Sequence, residues 1–258
     1  MDLGLADRTY VVTGGSSGVG LATVRALLDE GAHVATCGRD AERLERIGAH
    51  ERLFTAVCDV RDADAVRGFV DTAAEAFGGR LDGLVNNAGQ SRMKRLHETT
   101  PDDWRDELEL KFAGVLNPLQ AARSLLKASD AASVVNVNAV LAKQPEPRLI
   151  TTSAARAGIL NLSKSLATEL AADGIRVNSV CLGLIDTGQW TRRHAAADSG
   201  LPYEDWQAEL AADRGIALGR LGRAEEVAYA VLTLLAPRAS YITGTSIDVC
   251  GGVGRGIL

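Results

Sequence analysis

The chain has little of several features that would assign it to a class at once. It carries only four cysteines, Cys37, Cys58, Cys181 and Cys250, and no two form a C-x-x-C pair. That spacing excludes a disulfide framework and points to reduced cysteines packed as small hydrophobes at strand ends, in a cytoplasmic setting. No apolar run approaches the roughly 18 residues of a membrane-spanning helix, and residues 1–8 lack the basic and apolar segments of a secretory signal. A membrane partner is therefore not expected. Lysine is scarce, with five residues at 94, 111, 127, 143 and 164, and no basic stripe is visible. With a net charge of −5, nucleic acid is not an expected partner either. Histidine, aspartate and glutamate show no metal-ligand spacing, so no metal is expected. Linkers, low-complexity segments and internal repeats are also missing, which leaves one domain over 1–258.

What remains is ordinary globular composition, 46% hydrophobic and 24% charged over 258 residues. Short β-branched runs at 8–13, 33–37, 52–58, 82–86, 132–138, 175–181 and 245–249 read as strands. Helical periodicity places helices near 18–30, 40–48, 62–78, 101–127, 153–172 and 223–235. The helix at 101 opens on Thr100-Pro101-Asp102-Asp103, a capping hydroxyl, a proline and two acids at the positive end of the dipole. Apolar strands alternating with amphipathic helices predict a doubly wound parallel α/β sheet of about seven strands. One long irregular stretch, 184–222, carries Trp190, Arg192, Arg193, His194, Tyr203 and Trp206. It follows the sixth strand, where ligands of open α/β sheets sit, and reads as a substrate-binding lid.

The first strand runs into Thr13-Gly14-Gly15-Ser16-Ser17-Gly18-Val19-Gly20 and then directly into a helix. Glycines there let the backbone turn tightly and approach a pyrophosphate, while the helix N-terminus supplies free N–H groups. The T-G-x-x-x-G-x-G spacing resembles the short-chain dehydrogenase/reductase family, and further motifs follow in order. They are Asp59-Val60, Asn86-Asn87-Ala88-Gly89, Arg176 through Gly183 (with Leu182 in place of a proline), Tyr241 through Gly244, and Gly251-Gly252. The resemblance covers essentially the whole chain. It implies a Rossmann-type sheet in which Gly14, Ser16, Ser17, Gly18, Val19, Gly20, Asp59, Val60, Asn87, Ala88, Gly89, Gly183, Ile185 and Thr187 contact a nicotinamide dinucleotide. It also implies a homodimer or homotetramer built through 101–127, 153–172 and 240–258. At the end of the second strand, Gly38 stands where an acid would accept from a ribose 2′-OH, and Arg39 follows. A guanidinium there suits a 2′-phosphate, so NADP(H) is expected over NAD(H).

The family's Ser, Tyr and Lys, with a helical Asn, are absent. None of the four tyrosines has a lysine four residues later. Aligned on the family helix, Thr152 occupies the tyrosine position and Arg156 the lysine position. Ala139 replaces the serine, with Asn138 beside it, and Lys111 takes the asparagine position. A threonine hydroxyl is no acid near neutral pH, and an arginine does not exchange its proton. Two readings of Lys111 stay open. Burial beside Arg156 would depress its pKa and make it the proton donor, with Asn138 or Thr152 orienting the substrate oxygen. Alternatively its ammonium bonds backbone carbonyls and replaces the missing lysine structurally; Arg156 would hold ribose in either case. Gln144-Pro145-Glu146-Pro147 borders the expected substrate pocket, with Glu146 either a base or a loop-shaping residue. His97 and His194 read as solvated. Arg192, Arg193 and His194 serve either an anionic substrate or a solvated helix face. The leading expectation is an NADP(H)-dependent oxidoreductase acting on a carbonyl, imine or activated alkene. A catalytically degenerate cofactor binder or a dehydratase or isomerase is the alternative.

Overall fold

The structure, a computed structural model, describes residues 2–256. Seven parallel strands form the central sheet: β1 (Thr9–Thr13), β2 (His33–Gly38), β3 (Leu53–Val57), β4 (Gly83–Asn86), β5 (Ser133–Ala139), β6 (Arg176–Leu182) and, after a further short pair, β9 (Ser246–Val249). Their order is β3-β2-β1-β4-β5-β6-β9, so the direction of winding reverses between β1 and β4. In such sheets the ligand crevice opens at that reversal, beyond the carboxyl ends of the strands. Every residue of β1 is buried, as a central strand covered on both faces requires.

Helix α1 (Gly18–Asp29) and the short α2 (Ala41–Glu45) lie between the first three strands in sequence. Helices α3 (Ala63–Ala76), α4 (Pro101–Lys127) and α5 (Ile150–Glu169) precede β4, β5 and β6. One core, including Val11, Leu84, Val115, Leu119 and Ile159, packs α3, α4 and α5 on one face of the sheet. The other includes Val12, Val24, Val85, Val180 and Val231, where α1 meets α8 (Ala224–Leu235). Arg176, buried in β6, reaches the carbonyls of Leu234, Leu235 and Ala236, so a cation closes the negative end of α8. Asn86 donates to Asn136 and Asn136 to Ser163, both at 2.8 Å, which pins α5 to the two strands that carry the site.

The expected cap of α4 is present. The Thr100 hydroxyl accepts from the Asp103 amide at 3.2 Å, and the Asp103 carboxylate accepts from the Thr100 amide at 2.9 Å. Three expectations are corrected. Helix α2 spans five residues rather than the whole of 40–48, capped by the Asp40 carboxylate on the Arg43 amide. Helix α5 starts at Ile150, not 153, which puts Thr152 inside its first turn. Its N-cap is Leu149, which has no side-chain acceptor and so left no starting signal to read. The stretch 184–222 is not irregular. It folds as β7 (Ile185–Asp186), α6 (Gly188–Ala197), α7 (Tyr203–Asp213) and β8 (Gly222–Arg223), with β7 and β8 paired in parallel. Cys37, Cys58 and Cys181 are buried as expected, whereas Cys250 is only partly so. Among the described residues no helix is long and apolar enough to cross a membrane, and none of the His, Cys, Asp and Glu side chains cluster as a metal site.

Candidate active site

The turn between β1 and α1 is built to hold backbone close to backbone. A Cβ on Gly20 would lie 2.3 Å from the Gly14 carbonyl oxygen, and one on Gly14, whose φ is +70°, would lie 2.9 Å from the Ala88 Cα. The side chain of Asn87 donates to the carbonyls of Thr13 and Gly14 at 3.0 and 3.1 Å. The Thr13 hydroxyl accepts from the amides of Asn87 and Ala88, and Thr36 accepts from the Gly15 amide. Asn87 therefore braces the turn as well as standing beside it. Ser17 precedes α1 without capping it, and the first turn of the helix holds no acid. Uncapped N–H groups at a positive helix end, facing a turn with no Cβ in the way, fit a phosphate group.

Gly38 ends β2 with Ser16 beside it, since a Cβ there would lie 3.2 Å from the Ser16 hydroxyl. Arg39 follows, exposed. Both neighbouring acids have other partners, Asp40 with Arg43 at 3.0 Å and Asp59 with Arg61 at 2.7 Å. Hydrogen bonds from Arg61 hold the Asp59 carboxyl below the usual carboxylate range. The Arg39 guanidinium is thus left available to an anion at the strand ends. Val60 is buried next to Asp59, with its carbonyl accepting from Asn117. Across the crevice, Thr187 approaches Gly18, whose Cβ would meet the Thr187 methyl at 3.3 Å, and Ile185 is buried below it. Gly183 leaves β6 where a Cβ would lie 2.7 Å from the Cys250 Cα.

The four candidate catalytic residues come from three elements that converge beyond the carboxyl ends of β4 and β5. Lys111, on α4, is 7% exposed, and its ammonium donates to the Gln90 carbonyl just past Gly89. Burial, helped by the charge of Arg156, pushes its pKa down to about 8, although Glu107 opposes the shift. Both features considered for Lys111 are therefore present together: the carbonyl contact and the lowered pKa. Arg156, on α5, reaches the Val137 carbonyl and the Asn138 side-chain oxygen at 3.5 and 3.4 Å, while its Nε is buried without a partner. Asn138 donates to the Arg156 carbonyl at 3.0 Å and accepts from the Ala139 amide at 2.9 Å. Both ends of that amide are engaged. Thr152 is fully buried one turn before Arg156, and its hydroxyl has no partner. Of the two groups considered for orienting a substrate oxygen, Asn138 is engaged and Thr152 is unpartnered but sealed from solvent.

Sequence reasoning passed over Glu107. It lies one helical turn before Lys111, 2% exposed, with Oε1 at 3.4 Å from the ammonium. The i, i+4 spacing of a glutamate and a lysine on one helix was the available signal.

The profile of the family described as enoyl-(acyl carrier protein) reductase matches residues 14–254. The cis-4-hydroxycyclohexanecarboxylate dehydrogenase of Sinomonas cyclohexanicum is 39% identical over 253 residues, which cover 96% of each chain. The chain belongs to the short-chain dehydrogenase/reductase family. A short-chain oxidoreductase from Pseudomonas aeruginosa PAO1, described as containing an atypical catalytic centre, is 47% identical. Its apo form superposes with a TM-score of 0.93 over 98% of this chain and 99% of that one. Its NADPH-bound form superposes with a TM-score of 0.91, covering 97% and 98% respectively.

In this short-chain dehydrogenase/reductase the segment 184–222 is an ordered aromatic cap. His194 packs against Tyr203 and Trp206, each at 5.3 Å between ring centroids, and its Nε2 lies 2.9 Å from the Leu201 carbonyl. His194 is thus a packed residue rather than a solvated one; His97 is exposed as expected. The Tyr203 hydroxyl donates to Asp186 at 2.6 Å, next to Thr187. The Arg193 guanidinium lies 4.5 Å from the Trp190 ring, and burial lowers its pKa, with the charge of Arg214 adding to the effect. Arg214 pairs with Glu146 at 2.8 Å, and the Glu146 amide donates to the Ser153 hydroxyl. Glu146 therefore ties the cap to the start of α5. Burial raises its carboxyl pKa, but the Arg148 amide and the charges of Arg214 and Arg148 outweigh that and hold it low, which suits a tie better than a base.

Proposed function

We propose that this chain is an NADP(H)-dependent oxidoreductase in which Lys111 replaces tyrosine as the proton donor. The observation that carries the reading is a buried ammonium at the carboxyl edge of the sheet, one helix away from Arg156, with its pKa lowered to about 8. A general acid works best when its pKa lies near the working pH. The uncapped glycine turn with Ser16, Ser17, Gly18, Val19 and Gly20, the segment Asn87-Ala88-Gly89, and Asp59, Val60, Gly183, Ile185 and Thr187 form the cofactor cradle. Arg39 favours the 2′-phosphate form, and the NADPH-bound relative supports that choice. Bound there, the reduced nicotinamide supplies the hydride. The substrate oxygen or nitrogen, or in an activated alkene the alkene carbon α to the activating group after hydride has added to the β-carbon, takes a proton from the Lys111 ammonium. The resulting amine recovers its proton from solvent. Arg156 holds ribose hydroxyls and supplies positive charge, and Asn138 fixes Arg156.

The substrate class is a carbonyl, imine or activated alkene. A ring bearing an acid is the form that the cap favours, because Arg193 lies on Trp190 beside Arg214. The hydroxycyclohexanecarboxylate named for one relative has that chemistry. Assembly as a homodimer or homotetramer fits Leu108 on α4 and the fully exposed Tyr241, and light scattering measures it. The function is tested by titrating the protein with NADPH and NADH by fluorescence, then following nicotinamide oxidation over a panel of cyclic ketones, imines and enones. Tighter binding of NADPH with turnover is expected. NADPH binding without turnover on any of them contradicts the oxidoreductase reading and favours a sensor.

A further inference from the structure

A carboxylate taken out of water costs several kcal/mol unless donors surround it. Glu107 is 2% exposed, and its Oε1 accepts no hydrogen bond among the described residues. A well-packed apolar residue would serve stability at least as well there. The two cations near Glu107 are both candidate catalytic groups: Lys111, whose Nζ is 3.4 Å away, and Arg156 on α5, whose protonated form it favours. Among the described residues no other charged side chain acts on the ammonium. The segment after β4 contributes the neutral Gln90 carbonyl and Gly89, whose Cβ would lie 3.3 Å from Nζ.

We infer that Glu107 is a positioning residue that sets the proton affinity of Lys111 for the reaction. The inference rests on the proton-donor reading above. With all three groups ionised the cluster carries one net positive charge. When Lys111 gives its proton to the substrate, Glu107 and Arg156 still cancel and no buried charge is left uncompensated. Glu107 thereby keeps the ammonium protonated at working pH, against the desolvation and the guanidinium that both push the proton off. Without it the amine would stand beside an unopposed Arg156, and the proton would be lost before catalysis.

The five lysines make the titration directly observable. The protein is labelled with 13C,15N-lysine, Lys111→Met assigns its side-chain signal, and the pH midpoint is followed by NMR with no substrate present. Glu107→Gln should lower the Lys111 midpoint by about one pH unit or more, a tenfold or larger rise in its proton dissociation constant. Glu107→Asp should restore most of the difference, and the signals of the other four lysines should not move. In the pH profile of turnover, the limb assigned to Lys111 should shift with the NMR midpoint. An unmoved midpoint in Glu107→Gln overturns the inference, as does a moved midpoint with an unmoved limb. If Lys111→Met keeps full turnover, the proton-donor reading fails instead, and the NMR coupling between Glu107 and Lys111 stands or falls separately.

Discussion

At the scale of single residues, the chemistry depends on which side chains are free and which are engaged. Asn138 has its amide occupied at both ends, whereas Thr152 has a buried hydroxyl with no partner. With the Lys111 ammonium as the proposed acid, reduction should decline as pH rises through about 8, where that proton is lost, and the reverse oxidation should climb over the same interval. A stopped-flow pH series in both directions checks the opposite slopes. Arg39→Glu replaces an available cation with an acid at the end of β2. It should weaken NADPH relative to NADH by roughly 10–100-fold, the range of one charge-assisted hydrogen bond, as measured by competitive titration. Equal affinities before and after the change would remove Arg39 from cofactor choice. The residue identities were legible in the sequence because each replaced a position of a known pattern. The burial of the Glu107–Lys111 pair was not, although its i, i+4 spacing was visible, because burial depends on how α4 packs against α5.

At the scale of elements, the legible parts were those with local signals. The glycine turn, the strand runs and the Thr100 cap of α4 all appear where spacing and capping chemistry indicate. Helix α5 began earlier than read because its cap is a leucine, and that misplacement left Thr152 outside the helix that holds it. The cap segment was read as irregular although it holds two helices; Thr187 before α6 makes no side-chain cap bond, and Pro202 before α7 has no side-chain acceptor to signal a start. Its order comes from contacts between its own aromatic rings and from Arg214 on Glu146, which no local pattern announces. Gly20→Ala tests the turn. Its Cβ would meet the Gly14 carbonyl at 2.3 Å, so cofactor binding should be lost by fluorescence titration, and unchanged NADPH affinity would contradict the account of the cradle.

At the scale of the whole molecule, the end of the sheet opposite the site is closed by a charged hub. Asp82, 1% exposed, accepts from Arg80, Arg8, the Thr9 amide and Ser129. Burial pushes its carboxyl pKa up, but the hydrogen bonds outweigh burial and hold it below the usual range. A carboxyl depressed in the folded state stabilises fully above its unfolded pKa, and the contribution is lost as pH falls through the folded value. Asp82→Asn should therefore lower stability by about 3 kcal/mol at neutral pH and flatten the loss of stability below pH of about 4, as followed by denaturant melts. An unchanged midpoint at neutral pH would show that the hub does not hold the sheet together. The doubly wound parallel sheet of about seven strands was legible from alternation and the family resemblance together, whereas the order of the strands came only with the structure.

The account rests most heavily on Lys111 as the acid. The direct measurement is single-turnover oxidation of bound NADPH by a cyclic ketone in the wild type and in Lys111→Met, with NADPH affinity measured for both. The account predicts unchanged affinity and a loss of about 10²-fold or more in the hydride-transfer step, as expected when a positioned acid is removed. A Lys111→Met protein that binds NADPH equally well and reduces the ketone at the full rate would contradict it.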